Sequence, residues 1–211
     1  MHINSVDELT AQFPALVAEL ERSQTLGTIG PRDLEDHLHH ALGYSAVLNG
    51  LGISSGLCAD LGPGAGLPSL VIAATLPATE WTLIERRERS VARLDITISR
   101  VGWIDRIRCW LGDAEDAGRD LRGQFDLVTA RGFGPPAMTA ECAAPLLRIG
   151  GTLVVSEPPG EQARWPQEGL LSLGLAPNPQ IDPLYWSATK ISTTPDNFPR
   201  RVGVPRRKPL W

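Results

Sequence analysis

Apolar positions along the chain follow two different periods. Over roughly the first fifty residues they recur at helical spacing. Ser5 and Glu8 stand as N-cap and N3 of a capping box, and Leu9, Phe13, Leu16, Val17 and Leu20 continue one helix face. A Gly30-Pro31 break precedes a second helix expected over 33–48. From Gly56 the texture changes to short runs rich in β-branched residues: GLCAD at 56–60, WTLIE at 81–85, IRCWL at 107–111, FDLVTA at 125–130 and GTLVVS at 151–156. The stretches between them are long enough for one helix each. Alternating strand and helix predicts a mostly parallel sheet with helices on both faces, preceded by an N-terminal helical segment. Right-handed crossovers then put the ligand site at the carboxyl ends of the strands. A last apolar segment over 184–191 supplies edge strands, and no internal repeat is visible. The expected organisation is one domain over 1–211: helices over 1–50, an α/β core over 51–195 and a tail over 196–211.

Composition narrows the class. The 211 residues are 42% hydrophobic and 21% charged, ordinary for a globular domain with its own core. The net charge of -4 argues against a generally basic, polyanion-coating protein. Charge is nevertheless concentrated at the C-terminus, where Arg200, Arg201, Arg206, Arg207 and Lys208 follow the last acid, Asp196. Cys58, Cys109 and Cys142 are scattered, which reads as free thiols in a reducing compartment. The N-terminus lacks the basic and apolar regions of a signal peptide, and no run is long enough for a membrane span. A cytoplasmic, soluble, monomeric protein is expected.

The most informative string is Asp60-Leu61-Gly62-Pro63-Gly64-Ala65-Gly66-Leu67, directly after the first strand. Glycines at alternate positions let the backbone turn and approach a ligand without Cβ interference. A dinucleotide fingerprint would need glycine at position 67, which is Leu67, and no Gly-Lys-Ser/Thr follows as in a P-loop. Glu85 closes the second strand, where a carboxylate can accept both hydroxyls of a ribose. Gly112-Asp113-Ala114-Glu115 closes the third. Three acids at successive strand ends suit a nucleoside carrying a positive charge better than a pyrophosphate. The acid-x-G-x-G-x-G loop resembles motif I of class I methyltransferases, which implies S-adenosylmethionine as cofactor on a Rossmann-like fold.

A narrower likeness rests on DLGPGAGLPSLVIA at 60–73, LIERRERSVARL at 83–94, DAED at 113–116, FDLVTARGF at 125–133, LLRIGGTLVV at 146–155 and FPRRVGVPRRKPL at 198–210. In these the chain resembles the glucose-inhibited division B type of small-subunit rRNA methyltransferases. The resemblance implies methyl transfer to N7 of a guanine, with rRNA or the small ribosomal subunit as partner. It places Asp60, Gly62, Gly64, Gly66, Leu67, Glu85, Ala114, Glu115 and Arg131 at the cofactor. Arg131 also faces the substrate, together with His37 and the tail cations. Two positions depart from the family pattern. His40-Ala41 stand where Asp-Ser is usual, and Ser156-Glu157-Pro158-Pro159-Gly160 stand where a Lys-Gly is common.

The chemistry fits the residues present. Guanine N7 carries a lone pair and no proton that must leave, so attack on a sulfonium methyl requires orientation and desolvation rather than a general base. No catalytic acid or base is therefore assigned. An amine methyltransferase would show Asn/Asp-Pro-Pro-aromatic after the fourth strand, and Gly134-Pro135-Pro136 lacks both ends of it. His37 and His40 share a helix face without a visible third ligand, so no metal is expected. The tail cations suit phosphate contacts. The competing readings are a methyltransferase of this fold acting on another RNA or a small molecule, and a non-catalytic S-adenosylmethionine- or RNA-binding module. An NAD-dependent oxidoreductase ranks last.

Overall fold

Ser5 caps the first helix, α1 (Val6–Gln12), its hydroxyl accepting from the Glu8 amide at 3.2 Å. The return arm of the box reaches one residue further back, where Glu8 accepts from the Asn4 amide at 2.8 Å. The single helix suggested by the spacing is interrupted at Phe13. Pro14 has no amide hydrogen to continue the ladder and instead opens α2 (Pro14–Thr25). The next helix, α3 (Leu34–Gly50), follows the Gly30-Pro31 break. The chain is described here by a computed structural model covering residues 3–158 and 164–211.

The apolar runs become β1 (Ser55–Leu61), β2 (Ala78–Glu85), β3 (Ile107–Leu111), β4 (Phe125–Ala130) and β5 (Leu147–Ser156). Two later strands, β6 (Leu175–Pro177) and β7 (Tyr185–Lys190), complete a seven-stranded sheet of order β3-β2-β1-β4-β5-β7-β6. The first five strands are parallel, and β7 runs antiparallel to both β5 and β6. The crossovers carry α4 (Ser69–Thr75), α5 (Glu88–Arg100), α6 (Ala114–Asp120) and α7 (Pro136–Ala143), with α8 (Gln167–Ser172) before β6.

Strand alternation divides the core in two. Cys58, Leu83, Leu127 and Val154 pack on one face with Leu20, Leu38, Leu48, Leu70 and Leu94 of the N-terminal helices, α4 and α5. Their neighbours Ala59, Ile84, Val128 and Val155 pack on the other with Ala117, Ala140, Cys142 and Leu170. Burial on both faces explains why the central strands read as continuous apolar runs.

After β7 the chain folds back over α6 and α7 and ends in a short helix, α9 (Val204–Arg207). Glu141, fully buried, accepts from the Arg200 amide at 2.9 Å and from its Nε at 2.8 Å. Arg122 donates to the Thr194 carbonyl at 3.1 Å, and Trp211 Nε1 donates to the Arg164 carbonyl at 3.1 Å. Arg200, expected among the phosphate-facing cations, has its guanidinium paired with the buried Glu141 carboxylate. Arg201, Arg206, Arg207 and Lys208 remain exposed. Arg200→Ala should therefore lower stability by about 3 kcal/mol in denaturant unfolding, since it strands a buried charge. Arg201→Ala should leave it unchanged. Equal effects of the two would contradict this assignment.

Candidate active site

β1 ends in Asp60 and Leu61, and the glycine loop turns away from the sheet immediately after. Gly62 and Gly64 hold φ of 66° and 59°, a left-handed conformation that side chains resist. A Cβ on Gly64 would meet nothing within 4 Å, so the loop presents bare backbone there to a ligand. Gly66 serves packing instead, since a Cβ would lie 2.3 Å from Leu70 Cδ1. Asp60 is fully buried beneath the loop and accepts from the Thr129 hydroxyl at 3.0 Å, while its Oδ2 has no partner among the described residues. It supports the loop rather than lining the cleft.

The cleft over this loop is a cavity of about 420 Å³, within the range of small-molecule sites. Gly62, Gly64, Glu85, Asp113, Ala114 and Glu115 line it. Glu85 is nearly buried, and its Oε1 accepts from the Arg87 amide at 3.0 Å. Glu115 has a second contact. Its Oε1 accepts from the Gly203 amide at 2.9 Å, so the acid anchors the tail while also bordering the cavity. Asp113 makes no side-chain cap to α6 and borders the cleft at the same strand end. Ile84, Phe133, Met138 and Val202 also line it and were not singled out by sequence. Phe133 lay within the quoted TARGF string, whereas Val202 arrives from the folded tail and had no local signal.

Arg131 follows β4 and borders a smaller adjoining cavity of about 240 Å³ with His37, Gly62, Gly64, Leu67 and Gly132. Its Nη2 donates to His37 Nδ1, and His37 Nε2 lies 3.2 Å from the Gly30 carbonyl. The imidazole is thereby locked between α3 and the Arg131 strand end, with Nε2 as the donor. Burial draws the Arg131 pKa below its usual value. His40 points elsewhere, with ring centroids 5.8 Å from Tyr44 and 5.4 Å from Tyr185. The two histidines thus do not converge, and among the described residues no three His, Cys, Asp or Glu side chains cluster as metal ligands.

His40 borders another cavity, of about 410 Å³, together with Gly132, Phe133, Ser156, Glu157, Arg164 and Trp165. Gly132 and Phe133 line both this cavity and the cleft over the glycine loop, so two pockets meet at one wall. Glu157 and Pro158 of the atypical segment after β5 belong to the second pocket, while Pro159-Gly160 lie outside the described residues.

Strand order, glycine loop and acids at three strand ends define a Rossmann-like fold of the class I S-adenosylmethionine-dependent methyltransferases. A methyltransferase from Geobacter sulfurreducens superposes with a TM-score of 0.59 at 18% identity, covering 85% of this chain and 89% of that one. Residues 9–163 match the model of the family described as rRNA small subunit methyltransferase G, and the chain belongs to that family. A protein of that name from Lactobacillus johnsonii is 33% identical over 168 residues, 73% of this chain and 69% of the relative. Its namesake from a Synechococcus strain is 30% identical over 175 residues, 72% and 68% of the two chains. Among the described residues no helix is long and apolar enough to cross a membrane.

Fully buried Asp60 and half-buried His40 titrate in opposite senses. Burial lifts the Asp60 carboxyl from 3.8 to about 6, against hydrogen bonds from Ser69 and Thr129 that hold it down. Burial, then the charge of Arg131, lowers His40 from 6.5 to about 4. Between those values the folded state binds more protons at Asp60 and fewer at His40 than the unfolded chain does. Stability from Asp60 therefore falls as pH rises through about 4 to 6, while that from His40 rises. Asp60→Asn should make Tm climb more steeply than in the unaltered protein between about pH 4.5 and 6.5, and His40→Gln should flatten or reverse the slope. Parallel melting curves for all three proteins would contradict these environments.

Proposed function

We propose that this chain transfers the methyl group of S-adenosylmethionine to N7 of a guanine in small-subunit rRNA. The observation that carries the reading is the shared Gly132–Phe133 wall, which brings a cleft of cofactor type against a second pocket. The residues present fit the cofactor. Gly62 and Gly64 offer open backbone, Glu85 a carboxylate placed for a ribose, and Asp113 and Ala114 an edge for adenine. When bound, S-adenosylmethionine supplies a methyl made electrophilic by its sulfonium sulfur.

The chain's own contribution is positioning. N7 needs no deprotonation, so the site has to orient the base and exclude water. Phe133 and the buried strand ends provide the apolar surroundings, and His40 is neutral near pH 7 because burial lowers its pKa to about 4. The locked Arg131–His37 pair fixes a cation beside the glycine loop. Arg201, Arg206, Arg207 and Lys208 are an exposed basic strip of the tail, and Arg206 also lines the cofactor cleft. Such a strip suits an RNA backbone and gives binding that weakens with salt.

The test is transfer of labelled methyl from S-adenosylmethionine to small ribosomal subunits taken from a strain lacking this gene. Expected is label in one guanine, absent with subunits from the parent strain. Label in a different RNA, or none despite tight cofactor binding, would overturn the rRNA substrate while leaving the fold assignment standing.

A further inference from the structure

We propose that the second cavity is a guanine pocket in which the Glu157 carboxylate reads the base and Arg164 holds that carboxylate in place. This rests on the rRNA guanine reading and assigns the residue that selects the base.

Glu157 directly follows β5, and its amide donates to the Leu184 carbonyl at 2.7 Å, which fixes its backbone beside the cavity. Its side chain is only 14% exposed, and Oε2 accepts from Arg164 Nη1 at 2.8 Å. Arg164 is held in turn through its carbonyl by Trp211. A carboxylate can accept about four hydrogen bonds, and an arginine offers about five donors, so the pair keeps most of its capacity for a ligand. The surrounding wall is mixed, with Arg32, His40, Thr139 and Ser156 beside aromatic and apolar side chains. Phe133, Pro136 and Trp165 line it, and Trp165 stacks on Trp186 with centroids 4.0 Å apart and planes within 6°.

A pocket with aromatic side chains in its wall and one restrained carboxylate suits a planar base that presents two adjacent donors. Guanine does so through N1–H and the N2 amino group. Adenine and cytosine each place an acceptor beside a single donor, and uracil flanks its one N–H with acceptors, so each would set a lone pair against the carboxylate. Gripping guanine by that edge also leaves N7, on the opposite edge, unobstructed. Unspent polar capacity concentrates in the same wall. Among the described residues three buried side-chain polar atoms lack partners, and two of them, His40 Nδ1 and Trp165 Nε1, belong to residues of this cavity.

The test compares binding of 5′-GMP and 5′-IMP, which lacks only the 2-amino group, to protein saturated with S-adenosylhomocysteine. In the unaltered protein GMP should bind about tenfold tighter than IMP, the worth of one charge-assisted hydrogen bond. Glu157→Gln should reduce that ratio below about threefold, with S-adenosylhomocysteine affinity and melting temperature unchanged. No preference for GMP in the unaltered protein, or a preference that survives Glu157→Gln, would overturn the proposal. The first comparison needs no variant, so a folding defect in Glu157→Gln does not remove the test. A Glu157-dependent preference without methyl transfer to rRNA would keep the guanine pocket and discard the rRNA substrate. Transfer with no such preference would do the reverse.

Discussion

The reversal of strand order between β1 and β4 is the constraint on which the site depends. To one side of it the sheet grows from β1 to β2 and β3, and to the other from β4 to β5. The connections leaving β1 and β4 must therefore diverge, and a crevice opens at their carboxyl ends. The glycine loop leaves β1 on one side of that crevice, and Arg131-Gly132-Phe133 leaves β4 on the other. Beneath both, Asp60 and Thr129 sit in register and are hydrogen-bonded at 3.0 Å. That bond joins the two strand ends where the structure has to hold a gap open above them. Burial raises the pKa of a carboxyl there to about 6, and the Thr129 hydroxyl supplies Asp60 with a donor.

The C-terminal segment completes what the sheet begins. Glu115 and Glu141 are both buried acids on helices beside the cleft, and each takes its partner from the tail: the Gly203 amide for one and Arg200 for the other. These contacts place Val202, Gly203 and Arg206 in the wall of the cofactor cleft, and the terminal Trp211 braces the Arg164–Trp165 wall of the second pocket. The tail is thus part of both cavities. Only its outward cations are left for a partner.

Much of this was legible in the sequence, for identifiable reasons. Strands buried on both faces had to be apolar and β-branched, so their positions stood out. The glycine loop was readable because only glycine sustains its left-handed turns, and Glu85 because it closes a strand. What escaped depends on long-range packing. Pro14 signalled a helix start that a regular apolar period concealed. Arg200 could not be separated from Arg201 before the fold placed Glu141 beneath it. Asp113 and Glu115 stood together in one string, and only the fold shows that Glu115 also takes the Gly203 amide of the tail. The second pocket draws its wall from α3, β4, β5 and the segment before α8, residues far apart in sequence that share no spacing motif.

The most direct test of this arrangement is a crystal structure of the chain with S-adenosylhomocysteine and 5′-GMP bound together. Expected is the adenosine over Gly62 and Gly64 with its ribose at Glu85, its sulfur turned toward Gly132–Phe133, and guanine across that wall with N7 facing the sulfur. Both ligands competing for one cavity, or the nucleotide lying outside the pocket bordered by Glu157 and Trp165, would contradict it.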